Sequence, residues 1–211
     1  MTPLTYTLVA DGPSDRCLEP IINWTLAQAM KPVEALIDAQ IADFRDTPGA
    51  PRSLDERITR AVEQFPCDLL FVHRDAERES PERRRDEIAS AVRGIGLAHV
   101  VCIVPIRMTE AWLLFDEHAI RRAAGNPNGT VPLHLPPASR FEALPDPKQV
   151  LGDALLMASE ANGRKLRQFQ RDISMLKHRV AELIEDFTPL RRLSAFQTFE
   201  RELRAVVDTL R

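Results

Sequence analysis

Short apolar runs alternate with helical stripes along the first 110 residues, and that alternation is the main predictor of the fold. Leu4–Ala10 is rich in Thr, Val and Tyr and stops at Asp11-Gly12-Pro13, a turn signal. Ser14 or Asp15 can cap a helix to about Met30, with Cys17, Leu18, Ile21, Ile22 and Leu26 along one stripe. Val33–Arg45 is ambiguous and reads as a strand with a frayed edge. Ser53 starts a helix to Phe65, with Glu56 three residues on as in a capping box. Asp68–His73 is a continuous apolar run of the kind found in central parallel strands, and it leads into Arg74-Asp75-Ala76-Glu77. Ser80-Pro81-Glu82 opens a helix that ends near Gly94-Ile95-Gly96. Ala98–Ile106 is a fourth strand, and Thr109 is placed as the cap of a helix containing Glu110 and Trp112.

Strand–helix alternation of this kind predicts right-handed crossovers and an α/β fold around a buried central parallel sheet flanked by helices. The core is expected over residues 1–125. A Pro-rich, Gly/Asn-punctuated loop follows over 126–148, long enough to suggest function or mobility. Residues 149–211 read as a helical C-terminal extension packed on the core, with Leu166, Phe169, Ile173, Leu176, Val180 and Leu183 at helical spacing. No internal repeat is visible.

Composition narrows the setting. No apolar run approaches the roughly 20 residues that span a bilayer, and Met1–Ala10 lacks the basic start of a signal peptide. The three cysteines, Cys17, Cys67 and Cys102, are widely spaced in apolar contexts and form no zinc pattern, so reduced thiols in a cytoplasmic protein are expected. A net charge of −3 argues against nucleic-acid binding by bulk electrostatics. The charge is unevenly spread, however: residues 161–211 carry +4 and residues 1–160 carry −7. The C-terminal charges taken alone fit a solvated helical face.

Asp11, Asp75 and Glu110 each follow a different apolar strand. In parallel α/β sheets, ligands bind beyond the carboxyl ends of strands. Carboxylates gathered there repel one another unless a cation offsets them. Mg²⁺ takes hard oxygen ligands and keeps several waters, so a few carboxylates suffice. Paired ions of this type activate water and stabilise the leaving oxygen of a phosphodiester. Taken singly, Asp11 can serve the turn, Asp75 can cap, and Glu110 can occupy a first helical turn. Arg74, Arg78, Arg83, Arg84 and Arg85 surround the second acidic segment, either to hold phosphates or to pair with Glu79, Glu82, Asp86 and Glu87.

The segment Leu8-Val9-Ala10-Asp11-Gly12-Pro13-Ser14-Asp15 resembles the first motif of Toprim domains, and Asp75-Ala76-Glu77 is similar to their Asp-x-Asp motif. Val104-Pro105-Ile106-Arg107-Met108-Thr109-Glu110-Ala111-Trp112-Leu113-Leu114 resembles a signature of an uncharacterised family of prokaryotic Toprim-like proteins. Asp146-Pro147-Lys148 and Phe196-x-x-Phe199 also fit, so the resemblance covers most of the chain. In two places the chain departs from the pattern. Asp11 stands where the family has Glu, and Glu77 stands for the second Asp.

The resemblance implies a Toprim-like sheet and a relationship to the nuclease domains of OLD-type proteins and to Toprim effectors paired with ATPases in phage defence. It implies an Mg²⁺- (or Mn²⁺-) dependent phosphodiesterase acting on DNA or RNA. Asp75 and Glu77 would ligate metal, Asp11 and Asp15 would complete the site, and Glu110 would be a further ligand or orienting group. Arg107 would contact the scissile phosphate, with Arg74, Arg78 and Lys148 binding substrate. The alternative is a non-catalytic Toprim-like module that docks on a partner ATPase. Other motifs fail: His73-Arg74-Asp75 lacks the rest of a kinase loop, Asp11 is two residues late for a haloacid-dehalogenase nucleophile, and no P-loop or GxGxxG is present.

Overall fold

The computed structural model describes residues 3–33, 36–45 and 47–210. Four parallel strands form one sheet: β1 (Leu4–Val9), β2 (Ile37–Ile41), β3 (Leu69–His73) and β4 (Val100–Ile103), in the order β2-β1-β3-β4. Helices α1 (Leu18–Met30), α2 (Leu54–Gln64) and α3 (Pro81–Ala91) make the crossovers. They are followed by α4 (Glu117–Ala123), α5 (Pro147–Ser159), α6 (Gly163–Leu183) and α7 (Ser194–Thr209). The fold is thus the expected α/β arrangement with a helical C-terminal part. The strand expected over Val33–Arg45 is β2, with residues 34 and 35 outside the described set.

Strand alternation divides the core in two. Tyr6, Leu8, Leu69, Phe71, Val101 and Ile103 face the layer of α1 and α4 to α7. Val9, Leu70, Val72 and Cys102 face α2 and α3, where Ile58, Ala61 and Ile88 cover them. All five residues of β3 are buried, as a central strand covered on both faces requires. The C-terminal helices complete the first face. Phe199 meets Phe71 edge-on with ring centroids 6.1 Å apart and stacks on Trp112 at 6.2 Å, while Phe196 meets Trp112 at 5.4 Å. The Phe196-x-x-Phe199 spacing therefore puts two rings on one side of α7 to grip the indole. No helix of the described residues is long and apolar enough to cross a membrane.

The local signals act largely as expected. Ser53 and Ser80 cap α2 and α3 by accepting the amides of Glu56 and Arg83. Glu56 reaches back one residue further than a capping box, to the Arg52 amide at 2.8 Å. Thr109 is not a cap. It is the first residue of a short 3-10 turn, Thr109–Leu113, and its hydroxyl is turned toward the sheet. Most of the Pro-rich segment is irregular, with a 3-10 turn at Ala138–Ala143, and Asp146 caps α5.

Candidate functional site

The order β2-β1-β3-β4 makes the gap between β1 and β3 the point where successive crossovers diverge, and their carboxyl ends open a crevice there. Which residues share that crevice follows from register. Val9 pairs with Val72, so extending β1 and β3 by two residues sets Asp11 beside Arg74. Registered partners in a parallel sheet point to the same face. Asp11 and Arg74 therefore turn toward α2 and α3, whereas His73 and Asp75 turn toward α1 and α6. The sheet divides the residues at its carboxyl edge into two clusters.

On the α1/α6 face, six side chains converge. His73 is 1% exposed at the end of β3. Its Nδ1 lies 3.1 Å from the Ile103 carbonyl, an acceptor, so Nδ1 carries the proton and Nε2 faces the cluster. Nε2 stands 3.5 Å from Asp75, 3.8 Å from Asp15 and 3.3 Å from the Thr109 hydroxyl. Asp75 Oδ1 accepts both the amide (2.9 Å) and the hydroxyl (3.1 Å) of Thr109, which ties the loop after β3 to the loop after β4. Asp15 is buried and accepts the Gly12 amide at 2.9 Å and the Ser14 hydroxyl at 3.2 Å. Glu110, also buried, accepts a 2.8 Å bond from the buried ammonium of Lys177 on α6. Burial pushes the Asp75 carboxyl up to about 6, and the charges of Asp15 and Glu110 add to this. The neighbouring Cys17 thiol is driven well up by burial and then by Glu110, Asp15 and Asp75, so it stays protonated.

The loops bearing Asp75 and Glu110 are fastened beyond the strands. Ala76 donates to the Pro105 carbonyl at 3.0 Å and Glu77 to the Arg107 carbonyl at 2.9 Å. Both Glu77 (φ 54°) and Arg107 (φ 67°) lie in the left-handed region, which costs a residue with a side chain about 1–2 kcal/mol each. Such strain persists only where surrounding structure imposes it. Here the cross-loop bonds impose it, and Arg107 adds a 3.1 Å bond from its guanidinium to the Glu77 carbonyl.

Of the expected site residues, the structure brings together Asp15, Asp75 and Glu110. Asp11 is separated from them because the register sets it on the other face. Its carboxylate pairs there with Arg74 (3.0 Å) and Arg57 (3.2 Å), and Arg74 also holds Glu87 at 2.6 Å. Glu77 is carried away from Asp75 by its left-handed backbone. Its exposed carboxylate has Arg84 at 3.6 Å. Arg78 and Arg107 line one open groove with Met108 and Asp146, and Lys148 is exposed on the first turn of α5 beside it. Arg83 pairs with Glu79 and Arg84 with Glu87, so these two belong to local ion pairs.

Sequence reasoning missed Thr109, Arg57 and Lys177, and treated His73 as a strand-end residue. Lys177 carried a readable signal. It falls among Ile173, Leu176 and Val180 on the apolar face of α6, where a lysine needs a buried acid.

Asp75 and Asp15 are the side chains that could hold a divalent cation. Asp75 Oδ2 makes no hydrogen bond among the described residues, and the side chain is 24% exposed. Among the described residues, no three His, Cys, Asp or Glu side chains are gathered as a metal-holding group. An ion there would have to be held by one or two carboxylates and otherwise by water, as Mg²⁺ can be.

Comparison with family models, with curated proteins and with solved structures gives no match to this chain.

Proposed function

We propose that this protein is an Mg²⁺- or Mn²⁺-dependent phosphodiester hydrolase, a Toprim-like nuclease acting on DNA or RNA in the cytoplasm, with phage defence as its setting. One observation carries the reading: Asp15, Asp75 and Glu110 converge with His73 at the carboxyl ends of three parallel strands, where Asp75 is held well above the ordinary carboxylate range. A buried carboxyl raised by its acidic neighbours is a group whose ionised form a cation would favour. Asp75 and Asp15 would hold the ion, which supplies an activated water and offsets charge on the phosphoryl oxygens. Lys177 fixes Glu110 and leaves it short of a free charge, so Glu110 orients rather than ligates. Thr109 and His73 hold Asp75 in place. Arg107 and Arg78, which share a groove with Glu77, Glu79 and Asp146, would take substrate phosphates. Asp11 keeps Arg57 and Arg74 at the β1–β3 crevice rather than acting on the bond itself.

A second reading has its own observation. The two acids expected at the centre of the chemistry, Asp11 and Glu110, are both neutralised by basic side chains. A module that docks on a partner ATPase and performs no hydrolysis would have the same pairs. Incubating labelled DNA and RNA with Mg²⁺ or Mn²⁺ separates the two. The hydrolase reading expects cleavage by the wild type that falls at least about a hundredfold in Asp75→Asn, the scale of losing a positioned charge. Asp11→Ala should lose far less. Failure of the wild type to cleave either polymer, with an ATPase partner supplied, would select the docking module.

A further inference from the structure

The outer face of α6 carries a run of exposed basic side chains. Phe169, Ile173, Leu176 and Val180 recur on its inner side and pack toward the core, with Lys177 among them. Arg164, Arg167, Arg171 and Met175 follow at spacings of three and four and so fall on the opposite side. All four are exposed, Met175 by 76%, and Lys165 flanks them.

Elsewhere, Arg201 bonds the Thr198 hydroxyl, but exposed Arg83 is answered by Glu79 and exposed Arg204 by Glu200, each one turn away. Among the described residues, Arg164, Lys165, Arg167 and Arg171 have no such partner. Arg171 bonds the neutral Gln168, and the one nearby acid, Asp172, is taken up by the same glutamine. An uncompensated basic stripe on a chain whose first 160 residues carry −7 is not the ion-pair-laced face expected of a merely solvated helix. At 1.5 Å per residue the stripe runs from about 9 to about 20 Å along the axis from Lys177, the residue of the same helix that holds Glu110.

The geometry points to this face of α6 as the surface that holds the phosphate backbone of a nucleic-acid duplex. The inference rests on the hydrolase reading for its relation to the Asp75 cluster. Phosphate is the ligand because the stripe offers guanidinium groups, whose fork of donors matches phosphate oxygens. A duplex is favoured over a single strand because no aromatic side chain stands on the stripe. Single-strand surfaces stack bases on aromatic rings, and Phe169 is turned inward.

The test is the salt dependence of binding by the full chain to a DNA duplex of about 20 base pairs. Each phosphate contact contributes about 0.9 to the slope of log affinity against log salt. The combined variant Arg164→Gln, Arg167→Gln, Arg171→Gln should lower that slope by about 2 to 3 and weaken binding at least tenfold at low salt. Gln has nearly the helix propensity of Arg, and these side chains are exposed, so the helix should persist. A control removing equal charge from other exposed positions, Arg93→Gln, Arg192→Gln, Arg201→Gln, should leave the slope unchanged.

Equal loss in the control would overturn the assignment, since bulk charge would then explain binding. So would tighter binding of a single strand than of the duplex. Binding to vesicles of about 30% phosphatidylserine without binding to the duplex would overturn it in favour of a lipid surface. The cleavage assay distinguishes this failure from that of the hydrolase reading. A wild type that cleaves while its salt slope is untouched by the α6 variant refutes only the surface. One that binds through α6 but does not cleave refutes only the hydrolase.

Discussion

Asp75 concentrates the electrostatic cost of the site in one side chain. Its carboxyl is held at about 6 in the fold against 3.8 for the free group, because burial and two neighbouring acids disfavour the ionised form. Between those pH values the native state keeps a proton that the unfolded chain has released. The stabilising contribution is therefore fully present below about pH 4 and is lost as pH rises through 6, by on the order of 3 kcal/mol. Urea unfolding of wild type and Asp75→Asn between pH 4.5 and 7.5 should show this directly. The wild type should lose stability relative to the variant as pH rises, and the variant should be the more stable protein at pH 7.5. Parallel pH profiles would mean that Asp75 is not held against its charge. The sequence marked Asp11, Asp75 and Glu110 because each follows an apolar strand, and Asp15 only through the motif resemblance. It could not show that Asp11 belongs elsewhere, since facing depends on the Val9–Val72 register, a long-range pairing absent from local pattern.

Elements were legible wherever a side chain signals to its own backbone, as at Ser53 and Ser80. The signal misled at Thr109, whose hydroxyl is spent on Asp75 across the sheet. It also overran β4, which is expected over Ala98–Ile106 but ladders only from Val100 to Ile103. Pro105 has no amide to donate, and the loop beyond is closed by carbonyls accepting from Ala76 and Glu77. β4 is an edge strand, and α7 shields that edge. Glu202 accepts the Cys102 amide at 3.1 Å and pairs with Arg85 on α3. Glu202→Ala should leave both groups unanswered and cost about 2–3 kcal/mol in urea unfolding. Glu202→Gln keeps an acceptor and should cost about half as much. A loss below about 0.5 kcal/mol for the alanine would show that α7 is held by its Phe196 and Phe199 packing alone.

Across the whole molecule, the parallel sheet is a partition. Its two faces bury separate apolar clusters, and past the carboxyl ends the same alternation sends Asp11 and Arg74 to one side, where Arg57 of α2 meets them, and His73 and Asp75 to the other, beside Asp15. The α/β class was readable from alternating periods, whereas the order β2-β1-β3-β4 was not, because it depends on which distant strands pair. Likewise the helical character of residues 149–211 was plain, but their part in the site was not, since Lys177 acquires meaning only opposite Glu110. The central claim is that the Asp75 side of this partition, not the Asp11 side, takes a divalent cation. Thermal melting with and without Mg²⁺ tests it most directly, since an ion that binds only the folded state raises Tm. The wild type and Asp11→Asn should both be stabilised by Mg²⁺, and Asp75→Asn should not respond. A shift that survives in Asp75→Asn and disappears in Asp11→Asn would contradict the account.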